Sequence, residues 1–220
     1  MKKINWRYAL GEILIVIIGI SIAFSLNKCS EDKKDAALRN NYIKNLRSDI
    51  AADRQNLQEN ITALEKFQQT SREITPHLTT NSNQKMGILG KIFEVSQSIE
   101  FLPQDFTFQT LVNSGDFKLI GDFELKTDIQ KYYSYDIPEI LRAYKRQETI
   151  HKEYLGRYYI YNADFDKMSK GEFPFDDEQL LKRIIQSLSA SCGIQQKASE
   201  KGVAVCDSLI TKLDDTLNKY

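Results

Sequence analysis

Two histidines, three cysteines and a few paired carboxylates are the groups in this 220-residue chain whose types and spacing invite chemistry. Glu148-x-x-His151 has the spacing of one half of a di-iron site, in which a glutamate and a histidine one turn apart face into a helical bundle. Such a centre needs a second pair, and the sequence holds none. His151 is seven residues from both Tyr144 and Tyr158, shares their helical face, and reads as a core histidine hydrogen-bonded to a tyrosine. His77 lies beside Pro76 in a polar stretch. Tyr154, Tyr158, Tyr159 and Tyr161 either line a ligand pocket or, as aromatic residues at helical spacing usually do, fill core. Asp176-Asp177 reads as a helix start and Asp214-Asp215 as a solvated face. No glycine-rich phosphate loop, nucleophile elbow or Cys-x-x-Cys occurs. The expectation is therefore no catalytic residue, no metal and no cofactor, and a protein that is not an enzyme.

The cysteines carry a covalent expectation. Ser191-Cys192-Gly193 reads as a helix end, residues 193–202 as a polar loop, and Val203 as the next helix start. Two helices folded back about Ser199 would set Cys192 opposite Cys206, within the 4.4–6.8 Å between Cα atoms that a disulfide needs. Such a bond points to an oxidising compartment. The alternative is two small apolar residues packed in reduced form, and a helix that resumes right after Gly193 makes the bond impossible. Cys29 stays unpaired either way.

These groups must be carried by something, and the first 27 residues are the most informative part of that frame. Residues 6–26 form an apolar run long enough, as a helix, to cross a bilayer core that needs roughly 20 residues. Three readings compete: a retained signal anchor, a signal peptide cleaved after Ala23-Phe24-Ser25, and a lipoprotein built on Cys29. Lys28 stands where lipidation wants a small residue. Glu12 interrupts the boundary where a signal peptide turns apolar, and helical pattern continues past Ser25 through Glu31, Lys34 and Leu38. The anchor is the favoured reading. Lys2, Lys3 and Arg7 are denser before the span than Lys28, Lys33, Lys34 and Arg39 after it, which favours N-in. In a bacterium this puts the following domain in the periplasm of the inner membrane. A short tail before the span leaves no room for an output domain.

Glu12 is ionisable and lies inside the span, which makes it a functional hypothesis. It either snorkels to headgroups or accepts from Tyr8, or it meets another span. Gly11, Ile15, Gly19 and Ala23 recur every four residues, Gly19-xxx-Ala23 is a small-xxx-small pair, and Glu12 shares the Gly19 face. The expected contact face is Gly11, Glu12, Ile15, Gly19 and Ala23. Its expected partners are the lipid bilayer and a membrane protein or a second copy of the chain.

The string Tyr8-Ala9-Leu10-Gly11-Glu12-Ile13-Leu14-Ile15-Val16-Ile17-Ile18-Gly19-Ile20 resembles the opening of a large family of small single-span proteins of Bacteroidota, known only as a domain of unknown function. The family pattern is Ala-Leu-Gly-Glu-Ile-Leu, an apolar run holding a glycine, then Asn and an acidic-basic helix. Residues 27–34 supply that continuation here. The resemblance implies a membrane-anchored helical protein and carries over no active site. Family members often have Trp where this chain has Cys29, so the thiol gains no role from it.

The remainder, residues 28–220, reads as one soluble helical domain. Three of the 30 basic residues and one of the 30 acidic ones lie in the first 27 positions, so the domain stands near −2. That balance argues against nucleic acid as a partner. Residues 32–74 read as one long helix with Ala36, Ile43, Ile50, Leu57 and Leu64 seven apart. Arg39, Asp53 and Asn60 interrupt the seam, which points to a stripe packed on its own domain, with a parallel dimer along it as the alternative. A polar stretch, residues 75–84, ends it. The remaining helices, within residues 86–220, are a short one over 86–98, one ending near Ser114 with Gly115 as its C′ residue, one over 123–133 capped by Asp122, and one from Pro138 to about 161. The last pair covers 177–191 and 203–219. Period-two alternation is nowhere sustained. The fold class is all-α: an N-terminal transmembrane helix (residues 1–27 with its tail), a long juxtamembrane helix and a helical bundle. The functional expectation is a structural or protein-interaction module of a bacterial cytoplasmic membrane. The alternative is a periplasmic ligand-binding sensor acting through a partner protein.

Overall fold

The computed structural model describes residues 6–79 and 85–218, with side chains from residue 10 onward. Lys2, Lys3 and the side chains of Arg7 and Tyr8, on which the orientation and one reading of Glu12 rest, lie outside the described residues. The fold is all-α. Among the described residues the one extended pairing is an isolated bridge between Ala163 and Phe175.

Helix α1, Trp6–Ile74, runs unbroken from the apolar segment into the domain. At 1.5 Å per residue it is about 100 Å long. Positions 32–72 hold neither Pro nor Gly, so nothing interrupts the backbone hydrogen bonds. Its surroundings change along its length. Residues 10–35 are exposed, whereas Ile43, Ile50, Leu57 and Leu64 are fully buried. The seven-residue stripe is therefore taken up by the chain's own core, and from position 43 onward it offers no face for a parallel dimer.

A 3₁₀ turn (Met86–Ile88) leads into the short helix α2, Leu89–Glu94, and an irregular stretch follows it. Helix α3, Phe106–Ser114, stops at Gly115, whose φ of 75° is the left-handed conformation that glycine adopts without strain. Asp122 caps α4, Phe123–Lys131, by accepting from the backbone N–H groups of Glu124 and Leu125.

Two expected boundaries change. The first is Pro138, which stands in the first turn of its α-helix as expected but does not begin a separate one. Instead α4 passes through a π turn, Tyr132–Asp136, into α5, Ile137–Ile150, and through a second π turn, His151–Gly156, into α6, Arg157–Asn162. Pro138 cannot donate to a carbonyl one turn back. The wider turn just before it absorbs the change of phase, so the helix continues. The second is the expected loop at 193–202. After a short α7, Phe165–Ser169, helix α8 runs from Glu178 to Asn218 in one piece. The small and polar residues Gln195, Ser199 and Gly202 continue the buried stripe of Leu181, Leu188, Cys206, Leu209 and Leu213. A glycine in a helix is disfavoured by about 1 kcal/mol relative to Ala, and packing of this stripe outweighs it. At Gly202 the packing requires it: a Cβ there would stand 2.8 Å from Cδ1 of both Ile140 and Leu57.

Helices α1 and α8 make the most extensive contact in the fold and run antiparallel. Arg47 pairs with Asp214 and Arg54 with Asp207, each at 2.5 Å, so rising numbers on α1 meet falling numbers on α8. The core divides into two clusters along this pair. The lower one holds Ile43, Ile50, Leu57, Ile129, Tyr132 and Leu209. The upper one holds Leu64, Ile74, Leu155, Tyr158, Phe175 and Leu188.

Candidate functional site

Gly11, Glu12, Ile15, Gly19 and Ala23 all lie on α1 and all are exposed. On a helix of 3.6 residues per turn they occupy an arc of about 120°. Among the described residues, and apart from the helix's own backbone, nothing comes within 4 Å of where a Cβ would stand at Gly11 or Gly19. The apolar stretch has a mean hydropathy of 2.1 and none of it is buried by the rest of the chain. This is one helix long and apolar enough to cross a membrane, with its small-residue face uncovered.

The expected Cys192–Cys206 disulfide is overturned. Both residues sit on the continuous α8, fourteen positions apart, which is about 21 Å along a helix. Both are buried free thiols, and Cys29 is an exposed one. Burial pushes the Cys192 thiol up to about 12 and the Cys206 thiol up to about 11. The covalent argument for an oxidising compartment falls with the bond.

The other sequence candidates resolve into structural roles. Glu148 is held between Lys152 and Lys145, whose hydrogen bonds, helped by their charges, pull its carboxyl down to about 2. His151 Nε2 lies 2.5 Å from the Ser96 carbonyl oxygen, and the Ser96 hydroxyl meets the Tyr159 hydroxyl. The histidine is thus tied to a tyrosine through a serine rather than directly. His77 lies in the turn after α1. Tyr158 is core and donates to the Asp177 carbonyl at 3.0 Å, while Tyr154 and Tyr161 are exposed. The four tyrosines do not line one pocket. Asp177 starts α8 by accepting from the Leu180 N–H, and Asp214 pairs with Arg47. Among the described residues no three His, Cys, Asp or Glu side chains converge on a point where they could hold a metal ion.

Two buried acids escaped the sequence reading. Asp53 is 1% exposed. Its Oδ1 accepts from the Gln104 N–H at 2.7 Å and its Oδ2 from the Tyr132 hydroxyl at 2.8 Å. The Cys206 thiol in turn lies 3.4 Å from the Tyr132 oxygen. Burial pushes the Asp53 carboxyl up to about 6; the two hydrogen bonds oppose the rise and Asp49 and Asp105 add to it. Burial also raises the Tyr132 phenol, so the tyrosine remains the donor. Asn60 works alongside, donating to the Glu100 carbonyl at 2.9 Å. Two of the three polar residues that break the seven-residue seam, Asp53 and Asn60, are therefore the pins that hold the irregular stretch before α3 against α1. Their signal in the sequence was that break itself.

The second acid is Asp136, at the end of the first π turn and 4% exposed. Its Oδ1 accepts no hydrogen bond. The cation paired with it is Lys201, with Nζ 3.9 Å away. Asp136 lines a half-enclosed cavity of about 220 Å³ between α5 and α8, walled by Ile140, Ala143, Ile194, Ala198 and Val205.

Residues 12–147 match the family of unknown function DUF6090. The match takes in most of the apolar run, from Glu12 onward, with the Asp53 pin and Asp136, covers more than half of the chain, and the chain belongs to this family. No curated protein and no solved structure matches it. An unassigned family and an apolar N-terminal helix are compatible with a membrane-anchored module.

Proposed function

We propose that the protein is a single-pass, non-catalytic interaction module of a bacterial cytoplasmic membrane, N-terminus inside and helical domain in the periplasm. The observation that carries this reading is the continuity of α1. One helix supplies both an apolar stretch with an uncovered small-residue face and, from Ile43 onward, a wall of the domain's core. A contact made by the span is thereby mechanically continuous with the domain. The orientation rests on Lys and Arg placement alone. The partner is a second membrane protein or a second copy, met along Gly11, Glu12, Ile15, Gly19 and Ala23.

The test is site-directed photo-crosslinking from Ile15 in native membranes. A discrete adduct that is lost in Gly19→Ile and kept in Ile17→Leu supports the reading. No adduct, or one indifferent to Gly19→Ile, reduces the span to an anchor. Intact-mass analysis of the same membranes supplies the control, since a mature chain starting near Leu26 would overturn anchoring itself. One observation favours the second reading, a ligand-binding sensor that acts through a partner: the half-enclosed cavity beside Asp136.

A further inference from the structure

The cavity between α5 and α8 is lopsided in its chemistry. Its walls are aliphatic, and its polar groups are Asp136, Glu139 and Lys201. Glu139 is already engaged by Arg142 on the next turn. Asp136 is the acid left short. A carboxylate oxygen withdrawn from water without a hydrogen bond is a costly arrangement that a donor entering the cavity would relieve. Lys201 does not serve as that donor. Its Nζ stands at 3.9 Å, beyond hydrogen-bond reach, its side chain is 65% exposed, and it sits 5.9 Å above the Tyr135 ring.

The position of the acid is built by the backbone. The π turn ends at Asp136, just before Pro138, and π turns recur at functional sites. Gly202 forms part of the opposite wall and has no room for a side chain of its own. An anion is disfavoured by two carboxylates facing one lysine. A metal ion lacks ligands, because among the described residues no group of three His, Cys, Asp or Glu side chains converges there.

We propose that this cavity binds a small organic ammonium ion, whose N–H groups donate to Asp136 while a short apolar body lies against Ile140, Ile194 and Val205. Lys201 is then a resident competitor, close enough to be displaced and too far to satisfy the acid. The inference rests on the sensor reading and is independent of whether the span associates.

The probe is phenethylammonium chloride, with 2-phenylethanol as its uncharged counterpart. Both are titrated into the full chain in detergent micelles, with the labelled methyls of Ala143 and Ala198 observed by NMR. Saturable shifts of both methyls with the ammonium and not with the alcohol are expected. Asp136→Asn should weaken binding by about tenfold or more, because a charge-assisted hydrogen bond becomes a neutral one. Lys201→Met should tighten it by about threefold, because a half-screened competitor is removed. Opposite signs from two substitutions on one cavity are not what a merely structural role predicts. Equal binding of the alcohol, an indifferent Asp136→Asn, or no saturable shift would each overturn the proposal. If Asp136→Asn does not fold, Lys201→Met decides, and unchanged or weakened binding in it overturns the proposal. None of these failures touches the crosslinks from Ile15, so the span reading stands or falls separately.

Discussion

The lower and upper halves of the core share both long helices and solve their polar problem differently. Below, a charged group is buried: Asp53 is held by Tyr132 and the Gln104 N–H, and Asp136 is left short beside a cavity. Above, the buried side chains are uncharged. There Tyr158 donates to a backbone carbonyl and meets the rings of Tyr159 and Phe175, which in turn touch Phe93 and Phe173 in tilted or edge-on pairs. Between the halves lies a polar layer in which the Tyr144 and Ser199 hydroxyls meet at 2.8 Å and Gln147 donates to Cys192 Sγ. Gln195 is fully buried there with no hydrogen-bond partner at either end of its amide. Uncharged tyrosine-to-carbonyl bonds hold a core together at any pH. A buried carboxylate makes the lower half's packing depend on protonation.

The largest effects should come from opening a cavity in the core of either half. Ile129→Ala in the lower cluster and Leu188→Ala in the upper one each remove a fully buried aliphatic side chain and should each lower stability by about 2–5 kcal/mol. Because α1 and α8 pass through both clusters, each variant should still melt in one calorimetric transition. Two transitions, with only one moved by each substitution, would show that the halves are independent units.

Asp53 separates the halves by pH. Its carboxyl is raised from 3.8 to about 6 in the fold, so the folded chain holds a proton that the unfolded chain has released. The stability from this group is full below pH 3.8 and is lost as pH rises through 6. At about 1.4 kcal/mol per pH unit the loss is on the order of 3 kcal/mol. Asp53→Asn keeps an acceptor and removes the charge. Its stability should rise relative to the parent between pH 4 and 8, measured by urea unfolding at each pH. A parallel pair of pH profiles would mean that water or a neighbouring cation already stabilises the carboxylate.

Local chemistry was legible in the sequence, and what depends on distant partners was not. Gly115, Asp122 and Asp177 were readable as helix ends because capping is decided within a few residues. Residues 193–202 looked like a loop because Gly, Gln, Lys and Ser are polar or small. Only the approach of Ile140 and Leu57 makes Gly202 a core residue. Asp53 and Asn60 were visible as breaks in a seven-residue stripe, but their partners lie on segments 40 to 79 residues away. Asp136 could not be found at all, since its placement depends on a π turn and on the register of α8. That Gly11, Glu12, Ile15, Gly19 and Ala23 lie on one side of a helix was legible, because it depends on one helix alone.

A smaller contrast comes from deleting one hydroxyl in each half. Tyr158→Phe loses a neutral hydrogen bond and should lower stability by about 1 kcal/mol at any pH. Tyr132→Phe takes a donor from a buried carboxylate, so it should cost about 2 kcal/mol at pH 8 and less at pH 4.5, where Asp53 carries its own proton. Urea midpoints at the two pH values measure the difference. A Tyr132→Phe penalty that does not change with pH would mean that Asp53 titrates outside this range.

The gentlest probe leaves the core sequence intact. Cys206 belongs to the lower cluster and Cys192 to the upper one, on one helix, and both thiols are buried and held protonated near neutral pH. Cys29 is exposed, so alkylation of the native chain should modify it at once and the other two only through opening. Protection is the labelling rate relative to that of the unfolded chain at the same pH, which removes the thiol's own pH dependence. If α8 opens only with the whole domain, Cys192 and Cys206 share one protection factor, equal to the global stability. That equality is the expected result, measured by mass spectrometry of peptides after timed alkylation at pH 8. Faster labelling of Cys206 would mean that the buried charge at Asp53 opens the lower half alone. Faster labelling of Cys192 would mean that the upper half frays from its loops. Either inequality would replace one cooperative domain by two half-domains joined through the polar layer around Gln195.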